Sequence, residues 1–190
     1  MLSARLVLVR HGQSTYNAQQ RLQGQADPPL SEAGRDEARA LAAVLPGFEQ
    51  VVTSDLARAS ETAGLLGYPG AERDARWREI ALGEWQGRSL ADFEDETAYA
   101  WRGGSLTPNG GESWLEFVRR VGGAVDELVT RGGTWLVVCH GGVVRAALSH
   151  VTGADPRTIA GPANTSVTVV RTGRVPRLER YAWTPGLSGL

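Results

Sequence analysis

Leu6-Val7-Leu8-Val9-Arg10-His11-Gly12 is the stretch from which the fold is read. Four consecutive aliphatic residues match a strand covered on both faces, the situation of strands inside a parallel sheet. The run stops at an arginine, a histidine and a glycine. The same pattern recurs at Trp135-Leu136-Val137-Val138-Cys139-His140-Gly141. Two buried strands therefore each deliver a histidine to a strand end. In open α/β sheets, ligands bind beyond the carboxyl ends of the strands, so the two histidines are the first candidates for a shared site.

Working outward, Ser31 can cap a helix whose apolar positions Ala38, Leu41, Ala42 and Leu45 follow helical spacing until Pro46-Gly47. Val51–Thr53 reads as a short strand, and Asp55–Leu66 as a helix with Leu56, Ala59, Ala63 and Leu66 on one side. Arg76–Ala81 is weakly strand-like. Residues 86–111 are rich in glycine and read as a loop with one short helix. From Glu112 the helical period returns through Trp114, Phe117, Val121, Val125, Leu128 and Val129 and is closed by Gly132-Gly133; the pair Gly122-Gly123 weakens the stripe without breaking it. A helix over about Val143–Val151 follows the second buried strand. Val167–Val170 and Leu178–Trp183 are late strands, and the tail after Thr184 is expected to fray. The expected fold class is α/β, a three-layer αβα sandwich around a mostly parallel sheet of about six strands. It is read as one domain over residues 1–190 with a loop-rich rim at about 86–111.

Composition narrows the function. With 190 residues, the core needs no disulfide or metal staple. Lys+Arg 20 against Asp+Glu 21 leaves a net charge of −1, too little positive charge for a nucleic-acid partner. The apolar runs fall far short of the roughly 20 residues that span a bilayer, so no membrane partner is expected. The amino terminus lacks a signal-peptide core, and one cysteine, Cys139, cannot pair internally. A cytoplasmic location is expected. The three histidines, at 11, 140 and 150, show no metal-ligand spacing.

Arg10-His11, Ser54 with Arg58 after it, and His140-Gly141 all fall at strand ends. Two arginines and two histidines converging on a nearly neutral protein call for a local anion, and the planar fork of arginine suits phosphate. The residues Arg10-His11-Gly12-Gln13-Ser14-Thr15-Tyr16-Asn17 resemble the Arg-His-Gly signature of the histidine phosphatase superfamily, which includes the cofactor-dependent phosphoglycerate mutases. The resemblance continues in order through Arg21–Asp27, Leu30–Arg35, Thr53–Ala59, Glu61–Ala63, Arg78–Gly87, Val138–Gly142 and Asn164–Ser166. Ser14, Tyr16 and Gln25 differ from residues frequent in the family, and the last of these bears on the substrate rim.

The resemblance implies a phosphohistidine mechanism with no cofactor and no metal. His11 would be the nucleophile. Arg10, Asn17, Arg58 and His140 would surround the phosphoryl oxygens, with Gln23, Gly24 and Gly141 also in the substrate site. Gly12 and Gly141 would let backbone approach the ligand. Glu79 would be the general acid and then the general base, with Glu84 as the other candidate. Cys139 should be buried and inert, because successive strand side chains face opposite ways. His150 should be structural, while Trp77, Trp85, Trp101 and Trp114 could be core or pocket wall.

Only 61 positions separate Glu79 from His140. The family's mutases carry a longer insertion there, so the shorter segment favours hydrolysis of a small phosphate ester over mutase chemistry. Phosphoglycerate, a sugar-linked phosphoglycerate and broad phosphomonoesters are the candidate substrates, with Arg88 and Arg102 available to a second anionic group. A cofactor-dependent phosphoglycerate mutase and a non-catalytic phosphate-binding domain are the two alternatives. A homodimer stays open, since exposed apolar surface is not legible in the sequence.

Overall fold

The structure is a computed structural model that describes residues 3–93, 97, 100, 101 and 105–185. The chain runs β1 (Ala4–Arg10), α1 (Thr15–Ala18), α2 (Glu32–Ala42), β2 (Gln50–Thr53), α3 (Ala57–Leu65) and β3 (Glu72–Arg73). It continues through α4 (Trp114–Arg131), β4 (Gly133–Cys139), α5 (Gly141–Thr152), β5 (Val167–Arg171) and β6 (Arg177–Trp183). Among the described residues the strands form one six-stranded sheet in the order β3-β2-β4-β1-β5-β6. β3, β2, β4 and β1 are mutually parallel, β5 pairs antiparallel with β1, and β6 pairs antiparallel with β5.

The strand alternation assigns each side chain to a layer. Leu6 and Leu8 of β1, with Trp135, Val137 and Cys139 of β4, face Phe117, Val121 and Val125 of α4 and Val143 and Ala147 of α5. Val7, Val9, Leu136 and Val138 face the other way, against Leu41 of α2 and Ala59 and Ala63 of α3. Continuous apolar runs were required because both faces of the central strands are covered. Each full burial of such an aliphatic side chain contributes about 1.5–3 kcal/mol. Trp77, Trp85 and Trp114 belong to the same core, and Trp101 packs its ring edge against Trp85.

Several boundaries differ from the sequence expectation for local reasons. Arg76–Ala81 is not a strand. Glu72 and Arg73 pair with Val52 and Thr53, after which the Asp74 carboxylate accepts the Arg76 amide and turns the chain into a 3-10 turn that buries Trp77. The last helix starts at Gly141 rather than Val143, because extended His140 is its cap residue. α2 ends at Ala42, with Leu45 in the turn that follows. In the rim, Leu90–Asp92 forms a 3-10 turn. Part of that loop, including Arg102, lies outside the described residues, as does the tail from residue 186. No helix among the described residues is long and apolar enough to cross a membrane.

The loop after β1 is locked against α2. Ser31 donates its backbone N–H to the Gln13 carbonyl, and the Gln13 N–H reaches the Glu37 carboxylate. Gly34, in the first turn of α2, lies so close that a Cβ there would be 2.0 Å from the Gln13 oxygen. Gly34→Ala is therefore expected to destabilise the fold by about 1–3 kcal/mol through main-chain overpacking, read as a lower urea midpoint. An unchanged midpoint would mean that this loop yields without cost.

Candidate active site

β1 and β4 pair in parallel with Arg10 opposite Cys139, so the residues that follow, His11 and His140, emerge side by side. Their ring centroids are 5.1 Å apart. Both are buried. His11 Nδ1 lies 2.7 Å from its neighbour's carbonyl, Gly12 O. A carbonyl can only accept, so the hydrogen sits on Nδ1 and the Nε2 lone pair is free. Burial holds the His11 imidazole well below its ordinary value of 6.5, and the charges of Arg58 and Arg10 act in the same direction. The ring is therefore neutral at pH 7, the form a nucleophile needs. His140 is held well below that value as well, first by burial and then by Arg58. Its Nε2 is 2.9 Å from the buried Ser54 hydroxyl, and its Nδ1 is buried with no protein partner.

The arginines supply the positive field. Arg58, on α3, is fully buried, and its guanidinium donates to the carbonyls of Ala26 and Gly24 at 2.7 and 2.8 Å. Asp27 lies beside it at 3.4 Å. Burial lowers the Arg58 guanidinium to about 10, with Glu79 the foremost opposing charge. Arg10 donates to Pro162 O at 2.6 Å and is likewise lowered by burial. The Nε atoms of both arginines are buried without a hydrogen-bond partner among the described residues. With Arg10 and Arg58 acting on His11 through charge and the His140 ring 5.1 Å away, these two nitrogens and His140 Nδ1, a donor when Ser54 donates to Nε2, gather at the His11 end of β1, and each is costly to leave unpaired.

Glu79 reaches the same cluster. Its Oε2 accepts the Gly142 N–H at 2.9 Å in the first turn of α5, and its Oε1 accepts the Ile80 N–H at 2.9 Å. A Cβ at Gly142 would stand 2.2 Å from Oε1, so that glycine makes room for the carboxylate. Glu84, by contrast, is exposed.

The remaining sequence candidates take more indirect places. The Asn17 Oδ1 accepts the Ser14 N–H at 3.1 Å and an Asn164 amide hydrogen at 3.2 Å, which leaves its own NH2 group for a ligand. Gln23 accepts the Ser14 hydroxyl at 2.8 Å. Gly24 serves through its carbonyl, as an anchor for Arg58. At Gly12 and Gly141 the surrounding protein makes different demands. A Cβ on Gly12 would strike the Gly34 oxygen at 2.3 Å, so protein packing requires that glycine. A Cβ on Gly141 would meet Arg10 Nε at an ordinary 3.5 Å, and the intimate glycine of this turn is Gly142. Cys139 is buried in the α4/α5 core and its thiol is pushed well up by burial, as expected for an inert residue. His150 sits away from the site with Asp126.

Sequence reading passed over the clasp that fixes Arg10-His11. Asn164 donates to His11 O at 3.0 Å, and the Thr165 N–H reaches Arg10 O at 3.0 Å. Thr62 joins Gly12 to α3, accepting the Gly12 N–H at 3.1 Å while donating to Arg58 O at 2.7 Å. Their blocks were visible in the sequence, but nothing local to them signals a contact with a strand end. Among the described residues no group of three or more His, Cys, Asp or Glu is placed to hold a metal ion.

Fold and site together define an α/β protein with a histidine-arginine anion cluster at the carboxyl edge of its sheet. The model of the histidine phosphatase superfamily (branch 1) matches residues 6–184, and the chain belongs to that family. Glucosyl-3-phosphoglycerate phosphatase of Mycobacterium tuberculosis is 38% identical over 88% of this chain and 85% of its own. A 2,3-bisphosphoglycerate-dependent phosphoglycerate mutase of Xanthobacter autotrophicus is 37% identical over 81% of this chain and 84% of its own. The solved mycobacterial glucosyl-3-phosphoglycerate phosphatase complexed with VO3 superposes with a TM-score of 0.85 at 35% identity, covering 95% of this chain and all of that one.

The donor cluster makes two predictions. Inorganic phosphate should raise the melting temperature, by about 5–10 °C at 100 times its Kd if it binds only the folded chain. No shift would show that the donors are not an anion site. Without ligand, stability should fall as pH drops below about 6.5, because the unfolded histidines take protons that buried His11 and His140 refuse. A melting temperature flat from pH 7 to 5 would contradict their neutral burial.

Proposed function

We propose that the chain is a phosphomonoesterase that works through a phosphohistidine on His11 and hydrolyses a small, sugar-linked phosphoglycerate. The observation that carries the reading is the ring of buried, unpartnered donors around a neutral histidine: Arg10 Nε, Arg58 Nε and His140 Nδ1. Such a set matches a phosphoryl group, whose charge lies on its oxygens throughout transfer. His11 Nε2 attacks phosphorus while Nδ1–H stays on Gly12 O, and the bond to the ester oxygen breaks. Glu79 gives its proton to the departing alkoxide. As a carboxylate it then takes a proton from water, which attacks phosphorus and releases His11. Arg10, Arg58, the Asn17 amide and His140 hold the oxygens. A neutral His140 that donates through Nδ1 needs an acceptor at Nε2, and the Ser54 hydroxyl can donate into it.

Substrate and setting rest on the relatives. The curated phosphatase similar to this chain is named for glucosyl-3-phosphoglycerate, and the chain spans 85% of its length. One domain carries the function, with residues 86–111 as its rim, and every residue given a role comes from a single subunit. A cytoplasmic setting agrees with a phosphorylated metabolite as substrate and with the lone buried thiol of Cys139. The similarity to a mutase supports a second reading, in which the phosphoryl group returns to another hydroxyl of the substrate.

Hydrolysis of glucosyl-3-phosphoglycerate and of 4-nitrophenyl phosphate, measured with a chelator present, tests the proposal. His11→Ala should abolish both activities, and Glu79→Gln should slow the sugar-linked ester about 100- to 10,000-fold. Activity that survives His11→Ala would sink the mechanism. Isomerisation of phosphoglycerate that outpaces hydrolysis would move the chain to the mutases. The acid limb of kcat/KM assigned to the free enzyme should lie well below 6.5, once the ester's own ionisation near about 6 is allowed for.

A further inference from the structure

We propose that Arg120, on α4, is a positioning residue for the acid-base step, and that paired with Glu112 it holds the main chain that carries Glu79. The inference rests on the role given to Glu79 above. Residues 78–82 lie between two 3-10 turns, Ala75–Trp77 and Gly83–Trp85, and have no regular helix of their own. Their carbonyls need partners from elsewhere. Arg120 supplies two of them and one from the turn before. Its Nη1 donates to Arg76 O at 2.9 Å and Arg78 O at 3.0 Å, and its Nη2 to Glu79 O at 3.3 Å.

The guanidinium is itself held fast. Nε and Nη2 donate to the two oxygens of Glu112 at 2.9 and 2.6 Å, a two-point pairing in which the carboxylate is only 16% exposed. The plane lies 5.1 Å from the ring centroid of buried Phe117. Glu112 meets the same segment from its other side, donating its N–H to Ala81 O at 2.9 Å. Beyond this, the Glu79 carbonyl also accepts from Gln25 Nε2 at 3.2 Å.

The demand on this clamp comes from the side chain. The Glu79 carboxylate has two protein contacts, one of them to the next amide along its own chain. Among the described residues, the Gly142 N–H is the one hydrogen bond that joins it to the phosphate cluster, with Arg10 and Arg58 acting on it through charge. Where the carboxylate sits relative to the leaving oxygen is therefore decided by where the backbone sits, and Arg120 holds the carbonyls of Arg76, Arg78 and Glu79 from one planar group. A displacement of about 1 Å in a catalytic group is enough to cost two orders of magnitude in rate. Lysine could not replace it, since one ammonium cannot serve three carbonyls and a two-oxygen carboxylate in a single plane.

Proton donation matters for a poor leaving group and little for a good one, which separates positioning from general damage. Arg120→Met should lower kcat/KM, which reports phosphoryl transfer to His11 and not the later hydrolysis shared by all esters, about 10- to 100-fold on an alkyl phosphate and less than about threefold on 4-nitrophenyl phosphate. Glu112→Gln, which keeps one acceptor oxygen, should show the same selectivity at about three- to tenfold, and stands in should Arg120→Met fail to fold. Glu79→Gln is the control. If it is selective and the Arg120 and Glu112 variants lower both esters equally, or neither, this proposal is overturned alone. If Glu79→Gln is itself unselective, the acid role falls and this proposal falls with it.

Discussion

A guanidinium sealed from water is the constraint around which the structure is organised. Arg58 is completely buried, and removing an ion from water is unfavourable by several kcal/mol unless hydrogen bonds and counter-charge offset it. Carbonyls of Gly24 and Ala26, the edge of Asp27 and the field of Glu79 provide that offset only in part. Its Nε, like that of Arg10, has no protein partner. The deficit falls at the carboxyl edge of the sheet, where the loop is also pinned by Gly34 and Thr62. In the proposed function the phosphoryl group supplies the remaining compensation, which would tie stability to ligand and ligand to chemistry.

The same burial sets the state of the histidines. Two imidazoles with centroids 5.1 Å apart, both facing arginine, cannot easily take protons. A neutral ring with its hydrogen fixed on Nδ1 is a nucleophile without needing a separate base. In the proposed mechanism the same electrostatics that would favour a phosphoryl group also prepare His11 for attack.

Glu79 belongs to a different mechanical regime. The histidines and Arg10 follow central strands whose ladders fix them to the core. Glu79 lies on a segment without such a ladder, held from outside by α4 and by Gln25. The same segment is zipped to the end of the rim, where Leu82 bridges Gly111 and the Glu84 N–H reaches Asn109 O. Glu79 and the rim therefore share one piece of backbone, and the rim is also paired with the stretch before Gln23, where Arg21 bridges Ser89 and the Leu22 N–H reaches Arg88 O.

What could be read in the sequence was what depends on neighbours along the chain. Aliphatic runs ending in Arg10-His11 and Cys139-His140 identify covered parallel strands and their functional ends, because burial on both faces leaves no room for polar alternation. The apolar stripe over Trp114–Leu128 identifies a helix for the same kind of reason. Ordered motif blocks point to the family and to most of the cluster. Other features were fixed only by tertiary contact. The weak strand expected over Arg76–Ala81 gave way to the Asp74 cap and the pull of Trp77 into the core. Gly142 rather than Gly141 is the glycine against the Glu79 carboxylate, and Glu79, already preferred to Glu84 from its motif, is the one that lies beside the buried cluster. Asn164, Thr62 and Arg120 entered as clasps for other residues' backbones. Periodicity records which face of an element is buried, so the sequence determines the layers; a hydrogen bond between segments distant in the chain leaves no periodic trace, so the fold alone decides the site's geometry.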